Sequence, residues 1–225
     1  LLLDRSGRTA CAVGTAFVSL LSLAILAPLA PAVWSGQAMA MAIDWVPRLG
    51  LSFAFALDGL GLFFALLILM VGLAVIVFAR FYLDRRDGMG RFYAYLLLFQ
   101  GAMLGVVLAN NVLLLIVFWE LTSLTSFLLI GYWTHRSDAR RGALISLAVT
   151  GAGGLALIAG MLLLAEAGGS HTLSELITRG DAIRQSPLYA PALLLILAGA
   201  FTKSAQFPFH FWLPHAMAAP TPVSA

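Results

Sequence analysis

Charge and cysteine are what this chain has least of. Only 10% of its 225 residues are charged, against about a quarter in an ordinary soluble domain. A chain this poor in charge cannot clothe itself in water. With 61% hydrophobic residues and a mean hydropathy of +0.97, most of it is solvated by lipid. The one cysteine, Cys11, excludes an internal disulfide and a cysteine-based metal site. The net charge is +3, with no basic stripe carrying interleaved aromatics, which argues against a nucleic-acid partner. No period of about 20–50 residues repeats. Gly151-Ala-Gly153-Gly154 is not a dinucleotide fingerprint, because Ala156 takes the place of the last glycine and no strand precedes it, so no cofactor is expected. Small residues at that place suit close helix packing instead.

What is present is a series of long apolar runs. A membrane helix needs about 20 mostly apolar residues. Six stretches qualify: Ala10–Trp34, Gly59–Ala79, Phe92–Ala109, Val112–Thr134, Gly142–Ala165 and Leu188–Met217. Asn110-Asn111 suits a tight turn between two of them, and Asp58 reads as an N-cap. The first run also has the outline of a signal peptide, with Arg5 and Arg8 before it and Ala38-Met39-Ala40 after it. Its apolar stretch is too long for an h-region of about 7–15 residues. Thr172-Leu-Ser-Glu175 fits a capping box opening a short helix in the loop before Leu188. The chain opens on Leu1–Leu3 without a methionine and stops just after a proline-rich turn, and it is read as a fragment of a longer protein.

Lysine and arginine fall on alternating sides. Arg5, Arg8, Arg80, Arg85, Arg86, Arg91, Arg136, Arg140 and Arg141 lie on one side; Arg48, Arg179 and Arg184 lie on the other. The positive-inside rule makes the first side, with the chain start, cytoplasmic.

Two residues break the apolar pattern from within. Glu120 and Lys203 each sit inside a membrane run, where a charge costs about 2.5–3.5 kcal/mol on insertion scales. Such residues mark ion pathways and proton relays more often than inert pairs. Both helices run inward from the same side, so long side chains at these depths are expected to meet. A lysine held between a dry surrounding and a movable carboxylate can gain or lose its proton as the carboxylate moves. Pro208 and Pro214 would free the carbonyls of Ser204 and His210 if the helix ran through them. His210 lies two turns beyond Lys203 on such a helix and suits proton relay. Thr122, Ser123, Thr125 and Ser126 either hydrate a pathway or join helices. His215 is placed nearer the cytoplasmic end, and His135 and His171 in loops.

The segment Phe118–Trp133 (FWELTSLTSFLLIGYW) resembles the glutamate helix of the large antiporter-like membrane subunits. Gly199–Met217 (GAFTKSAQFPFHFWLPHAM), with Ala219–Ala225 after it, resembles their broken lysine helix and the start of the next helix. This family includes the Mrp-type cation/proton antiporter subunits and the proton-pumping membrane subunits of respiratory complex I. The resemblance covers nearly the whole chain. Arg91-Phe-Tyr-Ala-Tyr95 and Gln100–Leu108 look most like the A-type subunit of the Mrp branch. Gly153-Gly154 stands where complex I relatives often carry an acidic residue.

The resemblance implies an all-α, polytopic transmembrane bundle with inverted five-helix repeats. Residues 1–91 would be N-terminal helices and residues 92–225 an incomplete first repeat. It implies that Glu120 and Lys203 match the family's proton-pathway pair, and His210 looks like a histidine that some Mrp members carry. His215 departs from the acidic residue common before Ala-Met, which puts a proton-exit role there in doubt. The implied function is a proton-translocating subunit of a multisubunit Na⁺/H⁺ antiporter in a bacterial plasma membrane. Its partners would be other Mrp-type subunits, protons, monovalent cations and the bilayer. Two other readings stand beside it: a proton-pumping subunit of a complex I-like oxidoreductase or membrane-bound hydrogenase, and a scaffold with a frozen ion pair.

Overall fold

The computed structural model describes residues 7–84 and 87–224. Leu1–Leu3, Arg5, Arg85, Arg86 and Ala225 lie outside the described residues.

The bundle is helical, as its composition requires. The first apolar run splits into α1 (Arg8–Leu26) and α2 (Ala30–Trp34). Pro28 and Pro31 lack the N–H that a continuous helix would need there, and Pro31 sits instead in the first turn of α2, where that N–H is not missed. α3 (Gly59–Tyr82), α4 (Met89–Leu108), α5 (Val112–Ile130) and α6 (Ser137–Gly168) follow. These four and α1 are long and apolar enough to cross a membrane. Two short helices, α7 (Leu173–Thr178) and α8 (Gly180–Gln185), precede α9 (Tyr189–Lys203). After a 3-10 turn, α10 (Trp212–Ala216) and α11 (Thr221–Ser224) follow.

One element was not expected. β1 (Met39–Val46) and β2 (Leu51–Leu57) form an antiparallel hairpin, with Met39 opposite Leu57 and Ile43 opposite Phe53. The 3-10 turn Pro47–Leu49 joins them, and Gly50 takes the left-handed conformation (φ 69°) that glycine adopts without strain. Trp45 stacks on Phe53, with ring centroids 4.7 Å apart.

Caps place the helix starts. Asp58 accepts from Gly61 N–H at 2.7 Å, as its N-cap role predicts. Asn111 caps α5 through Leu113 and Leu114 N–H, at 3.0 and 3.1 Å. Its amide donates to the Gly50 carbonyl at 2.9 Å, while Asn110 bonds both the hydroxyl and the backbone N–H of Ser174. The asparagine pair thus ties the α4–α5 turn to the hairpin and to α7. At Thr172 the N-cap position is as expected, but the capping box does not form. The Ser170 hydroxyl takes the Thr172 N–H at 3.0 Å and donates to Glu175 at 2.7 Å, which draws the carboxylate away from the N-cap.

Four apolar clusters among the described residues hold the bundle, and two of them are large. One joins α1, α3 and α4 through Cys11, Ile76, Phe92 and Leu96. Beside it the Ser19 hydroxyl donates to Gln100 at 2.9 Å, satisfying polar groups that lipid cannot. The other core joins α5, α6, α7 and α8 through Ile116, Leu157, Met161, Leu176 and Ile183. α6 and α9 meet along glycine. A Cβ at Gly160 would lie 2.9 Å from the Ala192 carbonyl oxygen, and one at Gly199 would lie 2.8 Å from that of Gly153. No side chain fits between the two backbones at these points; of the small residues expected to pack closely, Gly153 lies in this seam, whereas Gly151 meets nothing within 4 Å.

Candidate functional site

α9 begins at Tyr189 and stops at Lys203, which stands about 21 Å along it at 1.5 Å per residue. The stop is a Schellman motif. Gln206 N–H bonds the Phe201 carbonyl at 2.9 Å, Ala205 N–H bonds that of Thr202 at 3.3 Å, and Ala205 has φ 52°. The Trp212 indole N–H also donates to the Thr202 carbonyl, at 2.9 Å. Carbonyls that a helix end leaves unpaired are therefore satisfied within the chain.

This corrects the expected role of the prolines. The helix has already ended five residues before Pro208, so no helical Ser204 carbonyl is freed by it. Pro214 lies in the first turn of α10, and the His210 carbonyl accepts from Trp212 N–H. His210 is not two turns above Lys203 on one face either. It is exposed in the 3-10 turn Phe209–Phe211, its ring stacked on Phe207 at 5.8 Å between centroids. His215 is exposed in α10, with its carbonyl against Gly142 near the start of α6, and His135 lies outside the helices. His171 is a loop residue whose carbonyl accepts from Val112 N–H.

Lys203 reaches into α5. Its Nζ donates to Thr122 Oγ1 and to Ser123 Oγ, both at 2.7 Å. The Thr122 hydroxyl donates its own proton to the Trp119 carbonyl at 2.7 Å, which leaves its lone pairs for the ammonium. The same Nζ lies 5.5 Å from the centre of the Trp119 ring, within cation–π range. Of the four hydroxyls that sequence left undecided between hydration and helix joining, Thr122 and Ser123 are thus ligands of the lysine, whereas Thr125 bonds carbonyls of its own helix.

Glu120 is beside this cluster but not bonded to it. Among the described residues the ion pairs are Arg136–Asp138, Arg179–Glu175 and Arg184–Asp181, all at the surface. The expected direct contact between Glu120 and Lys203 is therefore not made. The Glu120 carboxyl turns towards α6, where its Oε1 would collide with a Cβ on Gly154. That oxygen is buried without a hydrogen-bond partner among the described residues, as is the neighbouring Trp119 Nε1. Glu120 and Ser123 are three residues apart on one helix and hence neighbours on its surface. Trp119 and Trp212 were not anticipated; their positions beside Glu120 and after the break were the only signal.

Residues 109–225 match a family model described as NADH:quinone oxidoreductase/Mrp antiporter, TM. Residues 45–93 match one described as NADH-Ubiquinone oxidoreductase (complex I), chain 5 N-terminus. The chain is 53% identical over 208 residues to a probable K(+)/H(+) antiporter A/B subunit of Rhizobium meliloti, covering 92% of this chain and 21% of that protein. It is 51% identical over 192 residues to the A-type subunit of the Na(+)/H(+) antiporter of Alkalihalophilus pseudofirmus, covering 85% and 24%. A protein in the structure of the Mrp complex from Dietzia sp. DQ12-45-1b superposes with a TM-score of 0.85 at 36% identity, over 99% of this chain and 24% of that one. This chain thus spans about a quarter of the length of these relatives.

Proposed function

The chain belongs to the NADH:quinone oxidoreductase/Mrp antiporter family of membrane proteins, and we propose that it forms part of the proton path of a multisubunit monovalent cation/proton antiporter. The protein is a secondary transporter subunit driven by the proton motive force, with other Mrp-type subunits as partners. Its arginine-rich end faces the cytoplasm, by the positive-inside rule.

The observation that carries this reading is the setting of Lys203. An ammonium at the end of a broken helix is held by two hydroxyls, with an unbonded buried carboxyl oxygen alongside. A buried group left unsatisfied costs about 1–3 kcal/mol or more, so the arrangement favours exchange between two states. In one state Lys203 rests on Thr122 and Ser123. In the other it pairs with Glu120. A proton delivered to or taken from the lysine accompanies the exchange. His210, exposed beyond the break, takes up or releases that proton.

The cation is a separate matter. Relatives at 53% and 51% identity carry K⁺ and Na⁺ in their names, so a stretch of this kind occurs in antiporters named for different cations. The redox-driven alternative has support only in the shared family descriptions, whereas these relatives are named as antiporter subunits.

The test is Lys203→Ala, with Lys203→Arg beside it, in the complete complex in everted vesicles. Addition of Na⁺ or K⁺ should produce no pH change reported by an entrapped dye. Wild-type rates from fully assembled Lys203→Ala complex would reject the proposal.

A further inference from the structure

At the arginine-rich end of the bundle a cleft of about 310 Å³ opens between α4, α5 and α6. Its walls change character with depth. Arg91, in the first turn of α4, and Arg140, in the first turn of α6, stand at the mouth, both exposed. One turn deeper are Tyr95 on α4 and Leu144 on α6, with Phe127 and Leu128 of α5 between them. We propose that this cleft is a binding site for an anionic phospholipid, whose phosphodiester sits between Arg91 and Arg140 while an acyl chain lies along the apolar wall.

Charge decides the ligand class. The carboxylates nearby are already engaged. Asp138 is paired with Arg136, and Asp87 accepts from the Trp133 indole at 3.1 Å. Arg91 bonds a neutral acceptor, the Tyr132 carbonyl at 3.1 Å, and its guanidinium lies 5.1 Å from the centre of the Tyr132 ring. Neither Arg91 nor Arg140 forms an ion pair among the described residues. Two guanidinium groups of this kind, carried on separate helices, match a phosphodiester in charge and in hydrogen-bond geometry. Two further facts favour the site: α4 and α6 both begin here, and helix N-termini attract anions.

Depth decides between a lipid and a free anion. Both arginines sit in first turns, at the level where a spanning helix meets the headgroups. The walls behind them, with Phe127, Leu128 and Leu144, are apolar and suit an acyl chain. A free phosphate would leave those walls unused, whereas a lipid fills both parts. Basic pockets between membrane helices take anionic headgroups in this way.

The test is native mass spectrometry of the complete complex, titrated with phosphatidylglycerol or phosphatidylcholine. Wild type should hold phosphatidylglycerol in preference. Each arginine near the surface contributes roughly fivefold to anionic-lipid affinity, so Arg91→Gln with Arg140→Gln should lower it roughly 25- to 30-fold. Arg140→Gln alone should cost about fivefold, without touching the Arg91–Tyr132 contact. The Lys double variant should retain most of the affinity. Unchanged phosphatidylglycerol occupancy in the Gln variants would overturn the proposal. So would displacement of the lipid by inorganic phosphate at equal concentration, which would make this a simple anion site. Efficient cross-linking of Leu144→Cys to another subunit would overturn it too, by showing a protein in the groove.

Discussion

Gly153→Ala is a sharp probe of the seam that carries Lys203. A Cβ added at Gly153 would lie 2.6 Å from Thr202 Cβ and 2.8 Å from its Cγ2, and would overlap its Oγ1. Ordinary contact begins near 3.4 Å, so the two helices must separate by about 1 Å or Thr202 must turn away. Turning breaks the bond from its hydroxyl to the Gly199 carbonyl, 2.8 Å long. Overpacking of this kind costs about 1–3 kcal/mol, set against a gain of about 1 kcal/mol from replacing glycine in a helix. Gly151 supplies the control, because a Cβ there meets nothing within 4 Å. Gly151→Ala collects the propensity gain alone, so the difference between the variants isolates the seam at about 1–3 kcal/mol. Thermal unfolding of the two purified variants in one detergent measures it. Equal midpoints would refute the close approach of α6 to Thr202. Because Thr202 adjoins Lys203, Gly153→Ala should also slow transport, whereas Gly151→Ala should not.

Gly154→Ala places its Cβ on Glu120 Oε1; the carboxyl swings aside, and dye-reported proton transport should fall while assembly on a native gel is unchanged. Asn111→Ala removes the α5 cap and the bond to the Gly50 carbonyl, and should cost about 1–3 kcal/mol in unfolding and hasten proteolysis at the hairpin turn Pro47–Gly50. Ala205→Gly relieves a left-handed alanine, and should raise the unfolding midpoint by the equivalent of up to about 1 kcal/mol.

Helices are far more legible in this sequence than their ends. Hydropathy locates every long helix, and Asp58 marks one start correctly, because a cap is chemistry local to one residue; Asn110-Asn111 marks the turn between α4 and α5 but not the cap that Asn111 makes. The stop at Lys203 is hidden, because the residue that turns the chain is an alanine and carries no glycine signal; Pro208, the visible breaker, lies too late. The hairpin is written in the sequence in a period that a search for 20-residue runs ignores. Met39, Met41, Ile43 and Trp45 alternate with Ala40, Ala42 and Asp44, a repeat of two. At the site, residue identities single out Glu120 and Lys203 as the charges within the membrane. Whether they touch depends on the register of α5 against α9 and on two rotamers. Composition holds neither, so only the structure picks Thr122 and Ser123 out of the four hydroxyls that follow Glu120.

α6 has 32 residues, so it measures about 48 Å, against a hydrocarbon slab of about 30 Å. Even leaning by about 40° it overshoots that slab, so it must protrude. Its far overhang is gripped by α7 and α8, through Leu176 against Gly168 and Ala165, while its midsection carries Gly153 and Gly154 against Thr202 and Glu120. One continuous helix therefore joins the α7–α8 cap to the proposed proton site. A displacement of that cap would be carried along one continuous helix to the glycines that set the clearance around Glu120.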